Sequence, residues 1–549
     1  MGDDPDVDCD VLIIGAGLAG GSLARQLSLE QPDLHVVVVD RATEFRPGMD
    51  EPSGEEFSNY ANRVLRIGPY LRKHHLVSSG LRYFFDSPGR DLPIDRMSEI
   101  GGRTPHPIPT YLIDRPAVEQ ALCELNRAKG VRVLLGTEVP SDGAISLDGE
   151  HGHRVRTTGG TIRCRWLVDA AGEESPIARM LDLAPEDDRN PIGAAWARFD
   201  GCLSLDELGS KPWRGRVPHW GRGASPAYFM YRGYWIWLIP LSESQYSIGV
   251  TFDRRHVSPP VASAEELLGF LREHRAIAQI LGPRPRPEGF GTQRRFSRFA
   301  QEQFSVQRWF LTGSAGTVLD PMFAASSWMF TENNKLIGEF IKSDRAGRTH
   351  ELPGMVHHFH IRMRSRFKKL LNSPGHYLSR GSFDAWSAWF ALRQRVYYNR
   401  IVPDALEDHR ILLQFSRTHG TDCDCDAQVL AGKLARLLES ADRLTEEFVG
   451  LLDRQEAFHA RNQGMFLDSR SFDQDEVLLG KVFGRRDWTA EIPADERTYE
   501  IFCRTLVHRL TELSGESWDE AGFKAAFDPD WDSRQSLAEM YTRTGADHD

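Results

Sequence analysis

The chain has 549 residues, enough for more than one hydrophobic core, and 40% of them are hydrophobic and 26% charged, as in ordinary globular proteins. Its formal net charge of −11 argues against a protein that binds nucleic acid or an anionic membrane. No apolar run approaches the roughly 20 residues of a membrane span. The acidic amino-terminal sequence resembles neither a signal peptide nor a transit peptide, so we expect a cytoplasmic protein.

The cysteines and histidines predict no metal site. Seven cysteines are scattered along the chain, which is typical of reduced thiols in a reducing compartment. Only Cys423 and Cys425 are close together, and their spacing is not that of a zinc site. The run from His357 to His360 lacks the carboxylate or cysteine partners that would complete a ligand set.

The stretch from Asp10 to Arg41 has the pattern of a dinucleotide-binding βαβ unit. A short apolar run stops at Gly15, helical spacing of apolar residues follows, and a second apolar run ends in Asp40. In this pattern Gly15 makes the tight turn, Gly17 lets the backbone approach a pyrophosphate, and Gly20 allows close packing of helix and strand. Asp40 is expected to bind ribose hydroxyls, which disfavours the 2′-phosphate of NADP.

Two more strand-to-glycine turns follow, and each is expected at the carboxyl end of a strand. The first has the sequence DAAG and contains Asp169 and Gly172; the second has the sequence GSAG, contains Gly313, Ser314 and Gly316, and runs on to Asp320. A helix that begins at Arg115 is expected to place that side chain near the same ligand.

The segment from Ile192 to Asp253 consists of short aromatic and β-branched runs broken by Gly and Pro, which predicts an inserted antiparallel sheet. Trp235 and Trp237 alternate in one run, so both side chains are predicted on one face. From His350 onward, apolar residues at helical spacing predict a helical domain.

Three glycine turns around an antiparallel insertion resemble the FAD-dependent monooxygenase fold of aromatic hydroxylases. Trp235 to Pro240 also fits the WxWxIP signature of flavin-dependent halogenases, so the chain resembles the tryptophan-halogenase-like branch of that superfamily over about residues 8 to 345. The resemblance implies an α/β fold with four parts: an FAD-binding Rossmann-type domain of the aromatic hydroxylase (GR2) type over residues 8–190, a substrate-domain insertion over 191–300, the third glycine turn over 301–345, and a helical C-terminal domain over 346–549.

The resemblance also implies the roles of individual residues. The residues implied to contact FAD are Gly15, Gly17, Gly20, Asp40, Arg115, Asp169, Gly172, Gly313, Ser314, Gly316 and Asp320. The residues implied at the catalytic site are Trp235, Trp237, Ser78 and Arg82, with the tryptophan pair between flavin and substrate. In such enzymes reduced FAD activates O₂, and in halogenases hypohalous acid then reaches a lysine near the substrate.

This sequence departs from the halogenase pattern at two places. The family's lysine precedes the strand that corresponds to Gly80–Tyr83 by two residues, and position 78 here is Ser. A hydroxyl has neither the positive charge nor the amine of lysine. At the third turn the family has Gly-Asp or Gly-Asn where this chain has Gly313-Ser314. Further along the chain, bulky Trp328 disfavours a nest of backbone N–H groups that could bind a halide.

Three functions therefore remain open. The preferred hypothesis is an FAD-dependent oxidoreductase that oxygenates or dehydrogenates an aromatic or unsaturated small metabolite in specialised metabolite biosynthesis. The alternatives are a halogenase with a delivery residue other than lysine and a non-catalytic FAD-binding relative. No second GxGxxG is present, so either NAD(P)H binds transiently or a separate NAD(P)H:flavin reductase supplies reduced FAD. Whether the substrate is bound to a carrier protein stays open.

Overall fold

The computed structural model describes residues 7–46, 48, 53–104, 109–140, 143–183, 191–218, 221–294, 298–320, 322, 325–370, 376–396, 426–469, 495–528 and 535–545. The strands in this part of the chain are β1 (Val7–Ile14), β2 (Val36–Asp40), β3 (Leu76–Val77), β4 (Arg82–Phe85), β5 (Ser98–Gly101), β6 (Tyr111–Leu112), β7 (Arg132–Leu135), β8 (Ile145–Ser146), β9 (His153–Thr157), β10 (Gly160–Asp169), β11 (Ile192–Asp200), β12 (Ala227–Tyr231), β13 (Tyr234–Pro240), β14 (Gln245–Asp253), β15 (Arg286–Gln293), β16 (Arg298–Phe299), β17 (Trp309–Leu311), β18 (Thr317–Val318) and β19 (Phe466–Asp468).

The helices of the described residues are α1 (Leu18–Glu30), α2 (Glu55–Arg63), α3 (Gly68–His74), α4 (Arg115–Arg127), α5 (Pro176–Met180), α6 (Lys211–Arg214), α7 (Ala264–Arg272), α8 (Arg275–Leu281), α9 (Ala325–Arg345), α10 (Leu352–Leu370), α11 (His376–Ser379), α12 (Phe383–Val396), α13 (Asp426–Arg454), α14 (Asp495–Ser514), α15 (Glu520–Ala526) and α16 (Leu537–Gly545).

The first sheet has the order β7-β2-β1-β10-β9-β8, and β17 also pairs with β10. Strands β7, β2, β1, β10 and β17 are parallel to one another. The uninterrupted valines of Val36–Val39 are buried, as expected for a strand that is covered on both faces. Strand β9 pairs antiparallel with β10, and β8 pairs antiparallel with β9, so a hairpin extends this sheet.

The second sheet has the order β15-β11-β14-β13-β12-β4-β5-β19. Most of its pairs are antiparallel, but β12 pairs parallel with β4 and β5 pairs parallel with β19. Strands β4 and β5 come from the segment assigned to the FAD-binding part, and β19 comes from the segment predicted to be helical. The sheet therefore extends beyond residues 191–300, because strands far apart in sequence pair without a local signal.

The C-terminal helices pack against both sheets. Helices α9, α10, α13 and α14 share a hydrophobic core with the first sheet and α1. Helix α12 places Trp386 and Trp389 in the same cluster as Trp235 and Trp237 of the second sheet. Among the described helices, none is both long enough and apolar enough to cross a membrane.

Candidate flavin and substrate site

The three glycine turns meet at one edge of the first sheet. Because β1, β10 and β17 are adjacent and parallel, their carboxyl ends open toward the same side, where ligands of such sheets bind. A cavity of about 290 Å³ lies there. Its lining includes all three turns and residues of both sheets: Gly17, Leu18, Ala19, Ser53, Ile113, Arg115, Ala170, Gly172, Glu173, Trp196, Gln293, Gly313, Ser314, Val318, Ser326, Ser327 and Phe330.

Each glycine of the first turn is required for a different physical reason. Gly15 has φ +107°, and a Cβ there would lie 2.4 Å from the carbonyl oxygen of Ala170. A Cβ at Gly20 would lie 2.1 Å from the Gly15 carbonyl oxygen, so this position requires glycine for close packing. A Cβ at Gly17 would have as its nearest neighbour a carboxylate oxygen of Glu119 at 3.4 Å. Gly17 also lines the cavity, so its backbone is accessible there, as a pyrophosphate requires.

The other two turns differ in which glycines reach the cavity. Gly172 and Gly313 line it and have φ of +77° and +62°. Ser314 lines it as well. Gly316 is not part of this lining, and a Cβ there would lie 2.8 Å from the Gln303 side chain. Gly316 therefore serves the packing of the turn, which argues against the predicted direct contact with FAD.

Two of the predicted acidic residues brace the turns. Asp40 accepts hydrogen bonds from the backbone N–H groups of Ala16 at 2.7 Å and Ala42 at 2.8 Å. Asp169 is fully buried and accepts from the Ala171 and Ile177 N–H groups at 3.0 and 2.9 Å. Burial raises the pKa of Asp169. Asp169 therefore shapes the turn from behind, whereas ribose binding by Asp40 stays a prediction.

Arg115 reaches the cavity, and it is held there by a residue that the sequence reasoning missed. The Nε of Arg115 donates to Oε1 of Glu119 at 2.9 Å, one turn further along α4. The same oxygen accepts from the Leu18 N–H at the start of α1. An acid four residues after an arginine at the start of a helix is the signal that could have found Glu119.

An ion pair joins the second sheet to this corner of the cavity. Arg198 on β11 is buried, and its Nη2 donates to Oδ1 of Asp114 at 2.8 Å. Asp114 immediately precedes Arg115. Two residues before Arg198, Trp196 lines the cavity. The sequence reasoning did not identify Trp196, because its partners on the sheet come from strands that are distant in sequence.

Trp237 lies in an aromatic row that crosses the second sheet. In register, Tyr83 pairs with Tyr228, Tyr228 with Trp237, Trp237 with Gly249, and Gly249 with Trp196. Residues directly opposite each other on neighbouring strands point to the same face. The row therefore runs from Tyr83 to the wall of the cavity at Trp196.

Glycine makes room for the indole in this row. A Cβ at Gly249 would lie 2.3 Å from Cζ2 of Trp237, so the ring extends over that position toward Trp196. The rings of Trp235 and Trp237 are 5.8 Å apart between centroids, and both side chains are buried in one cluster. The prediction that they share a face is confirmed.

Ser78 and Arg82, the other two residues implied at the catalytic site, lie in different surroundings. Ser78 is buried, and its hydroxyl accepts from the Gly80 N–H at 3.1 Å. Arg82 is opposite Ala227, which belongs to the cluster on the other face of the sheet from Tyr83. Its guanidinium donates to Glu99 at 2.7 Å. Arg222 donates to the same carboxylate, so Arg82 stabilises a buried charge cluster, and this placement argues against its predicted catalytic role.

Asp320 pairs with residues of the C-terminal part. Its Oδ2 accepts from Nη2 of Arg380 at 3.1 Å and from the hydroxyl of Tyr377. Asp320 lies two residues after Val318, which lines the cavity, but is not part of the lining itself. A direct contact between Asp320 and FAD is therefore not favoured by this geometry. In the described residues, no group of three His, Cys, Asp or Glu side chains could hold a metal ion, and Cys423 and Cys425 lie outside them.

The cradle at Gly17, the basic side chain of Arg115 and the three converging turns fit a pyrophosphate-containing dinucleotide. The FAD binding domain family matches residues 8–204. The chain is thus an FAD-dependent oxidoreductase, and the predicted cofactor is confirmed as FAD.

Known proteins that are similar to this chain include flavin-dependent halogenases. Flavin-dependent halogenase chlA of Dictyostelium discoideum is 22% identical, over 87% of this chain and 83% of the relative. Tetracycline 7-halogenase of Kitasatospora aureofaciens is 28% identical over 33% of each chain. The crystal structure of halogenase PltM shares the fold, with a TM-score of 0.63, 16% identity, and coverage of 86% of this chain and 96% of that one. The chain is related to the flavin-dependent halogenases and has their scaffold, which confirms the resemblance.

Proposed function

We propose that this FAD-dependent oxidoreductase uses O₂ and reduced flavin to oxygenate or dehydrogenate an aromatic or unsaturated small metabolite, in the biosynthesis of a specialised metabolite. The observation that carries the choice of chemistry is Ser78. It occupies the position of the halogenase lysine in the sequence resemblance, and its hydroxyl is directed to the Gly80 N–H. Lys73, five residues earlier, is exposed on α3.

The residues around the cavity would have separate roles in binding FAD and in separating it from the substrate. Bound FAD supplies the O₂-dependent redox chemistry. The first turn and Arg115 would hold the pyrophosphate at the start of α1, where free N–H groups and the helix dipole favour an anion. Trp235 and Trp237 would separate the flavin from the substrate and exclude water from the space between them.

The aromatic row supports an aromatic substrate. Tyr83, Tyr228 and Trp235 already pack ring against ring in edge-to-face or tilted geometry, which also suits the ring of a substrate. Burial raises the pKa of Tyr83, so its hydroxyl stays protonated and can donate to an acceptor on the substrate. The crystal structure of halogenase PltM with phloroglucinol and FAD shows that one protein of this fold accommodates a phenol.

Halogenation is the second candidate, because a named flavin-dependent halogenase aligns with most of this chain. It would require another residue to deliver the halogen, since the Ser78 hydroxyl has no amine. A non-catalytic FAD-binding relative is the third candidate. For either enzyme we propose a separate NAD(P)H:flavin reductase as the source of reduced FAD.

A product assay tests the proposal. The purified protein is supplied with a flavin reductase, FAD, NADH, O₂ and a panel of phenols and aromatic acids, with and without bromide. Catalase and a hypobromite scavenger remove free oxidants. We expect products that gain an oxygen atom or lose two hydrogens, whether or not bromide is present, and slow flavin reduction by NADH alone.

Each alternative has its own signature in that assay. A product with the bromine isotope pattern, formed only with bromide, would establish the halogenase. Flavin reoxidation that is insensitive to every substrate, without any product, would favour the non-catalytic relative.

A further inference from the structure

Arg380 is a buried cation whose hydrogen-bonding capacity is largely unused. Its side chain is 0% exposed. Within the part of the chain that the structure describes, Nη2 donates to Asp320, whereas Nε and Nη1 have no hydrogen-bond partner. The guanidinium carbon lies 3.6 Å from the Tyr377 ring centroid, but this stacking uses the face of the group and leaves its N–H edge free.

The surroundings of Arg380 supply donors rather than acceptors. Trp386 lies 5.9 Å from the guanidinium carbon, measured to its ring centroid, and Tyr83 is 5.8 Å from Trp386 between ring centroids. Among the described residues, the hydroxyl of Tyr83 and the indole nitrogens of Trp386 and Trp235 are buried without partners. Buried polar groups are normally hydrogen-bonded, so a cluster of unpaired donors points to an acceptor that comes from a ligand.

Contacts of Arg380 connect it to the segment that lines the flavin cavity and to the second sheet. Asp320, the partner of Arg380, follows two residues after Val318, which lines the cavity. The hydroxyl oxygens of Tyr377 and Thr251 are 3.5 Å apart, and Thr251 is directly opposite Trp235 on the sheet. Arg380 is therefore linked to Trp235 through Tyr377 and Thr251.

We propose that Arg380 binds an oxyanion of the aromatic substrate, either a carboxylate or an ionised phenol oxygen, and thereby orients the ring against Tyr83 and Trp386. The inference rests on the proposed function and specifies its substrate class. A guanidinium donates several N–H bonds in one plane, which matches an oxyanion attached to a planar ring. Asp320 accepts from Nη2, so the N–H groups of Nε and Nη1 are left to donate to the oxyanion.

Direct binding to the FAD-loaded protein tests this inference without turnover. Isothermal titration calorimetry compares 2,4-dihydroxybenzoate, resorcinol and 1,3-dimethoxybenzene as probes with a carboxylate, an ionisable phenol and no ionisable group. We expect the wild type to bind at least one of the first two about ten- to a hundredfold more tightly than the dimethoxy ring, as for a charge-assisted hydrogen bond. Tightening of resorcinol binding as the pH rises would identify the phenolate as the preferred oxyanion, and pH-independent preference for the benzoate would identify the carboxylate.

Variants at position 380 complete the test. We expect Arg380→Met to remove most of the preference for the anionic probe and Arg380→Lys to restore part of it. Arg308→Met is the matched control, because Arg308 pairs with Asp344 on α9 and should leave the preference unchanged. FAD occupancy and the thermal midpoint establish that each variant is folded.

Three outcomes would overturn the inference: no binding of any probe by the wild type, equal affinity for charged and neutral rings, or an unchanged preference in folded Arg380→Met and Arg380→Lys. Competition of bromide alone for the anionic probe at equal strength would overturn it in favour of a halide site. Failure of the proposed function is distinguishable, because it would abolish product formation while the Arg380-dependent preference persisted.

Discussion

The carboxylate of Glu119 accepts a hydrogen bond from the Leu18 N–H at 2.9 Å, although 101 residues separate the two in sequence. It satisfies the first free N–H of α1 and at the same time holds Arg115 at the cavity. The start of the helix that is expected to bind the pyrophosphate is therefore organised by a residue of a different helix.

We expect Arg115 and Glu119 to act as one unit in FAD binding. Arg115→Ala should weaken FAD binding by about 1.5–3 kcal/mol, because a charged donor to the pyrophosphate is lost. Glu119→Ala should weaken it less, and the double variant should be no worse than Arg115→Ala, since Glu119 acts largely through Arg115. Fluorescence titration of the apoprotein with FAD measures the cycle. Additive losses would show that the two residues contribute independently.

Substitutions at Gly17 and Gly20 should have different effects. Gly17→Trp should abolish FAD binding in a folded protein, because the side chain would occupy the cavity beside Glu119. Gly20→Ala should instead destabilise the fold, since its Cβ would lie 2.1 Å from the Gly15 carbonyl oxygen. Flavin absorbance and the circular-dichroism melting curve separate the two effects. Normal FAD occupancy in Gly17→Trp would contradict the assignment of the cavity to the pyrophosphate.

Gly249 should affect the coupling of flavin oxidation to product formation, because it makes room for the Trp237 ring. Gly249→Ala introduces a Cβ that would lie 2.3 Å from the Trp237 indole and 2.6 Å from the Ala195 carbonyl oxygen, so the ring and the neighbouring strand must shift. We expect Gly249→Ala and Trp237→Ala to lower the fraction of oxidised flavin that yields product and to raise hydrogen peroxide release. Gly269→Ala is the matched control, because nothing lies within 4 Å of a Cβ there. Equal coupling in all three variants would exclude a separating role for Trp237.

Ser78→Ala should leave the native oxidation largely intact. The hydroxyl has the Gly80 N–H as its hydrogen-bond donor, and losing that contact should cost about 1 kcal/mol of stability. Product yield per NADH and the thermal midpoint are the measurements. A loss of nearly all product in a folded Ser78→Ala protein would give Ser78 a catalytic role.

The second sheet should lose stability in mild acid through His274. Burial, together with the positive charge of Arg90, lowers the pKa of His274 to about 4. Its Nε2 lies 2.9 Å from the Tyr234 hydroxyl and its Nδ1 lies 3.0 Å from the Phe270 carbonyl, an arrangement suited to the neutral ring. The unfolded state binds a proton already below about pH 6.5, so stability falls as the pH is lowered from about 6.5 toward 4.

Urea unfolding at pH 7 and pH 5 measures this effect. Wild type should lose about 2 kcal/mol between the two pH values, as a single shifted histidine allows, and His274→Gln should lose less. His35→Gln is the control, because His35 is exposed. An equal pH dependence of wild type and His274→Gln would show that other groups control the acid response.

Features that depend on residues close together in the chain could be predicted from the amino-acid sequence. The turn at Gly15, the close packing at Gly20, the strand before them and the strand ending in Asp40 follow from local spacing, because a βαβ unit completes its contacts within about 30 residues. The alternation of Trp235 and Trp237 determined their common face for the same reason.

Which of the predicted residues line the cavity and which support it from outside depends on the packing of the whole chain. Arg82 and Tyr83 alternate on β4, but only the packing of the sheet decides that Arg82 meets Glu99 and Tyr83 meets Tyr228. Asp320 accepts a hydrogen bond from Arg380, which is 60 residues later in the chain. Such contacts join segments that are remote in sequence, and their geometry depends on how sheets and helices pack, which no local periodicity encodes.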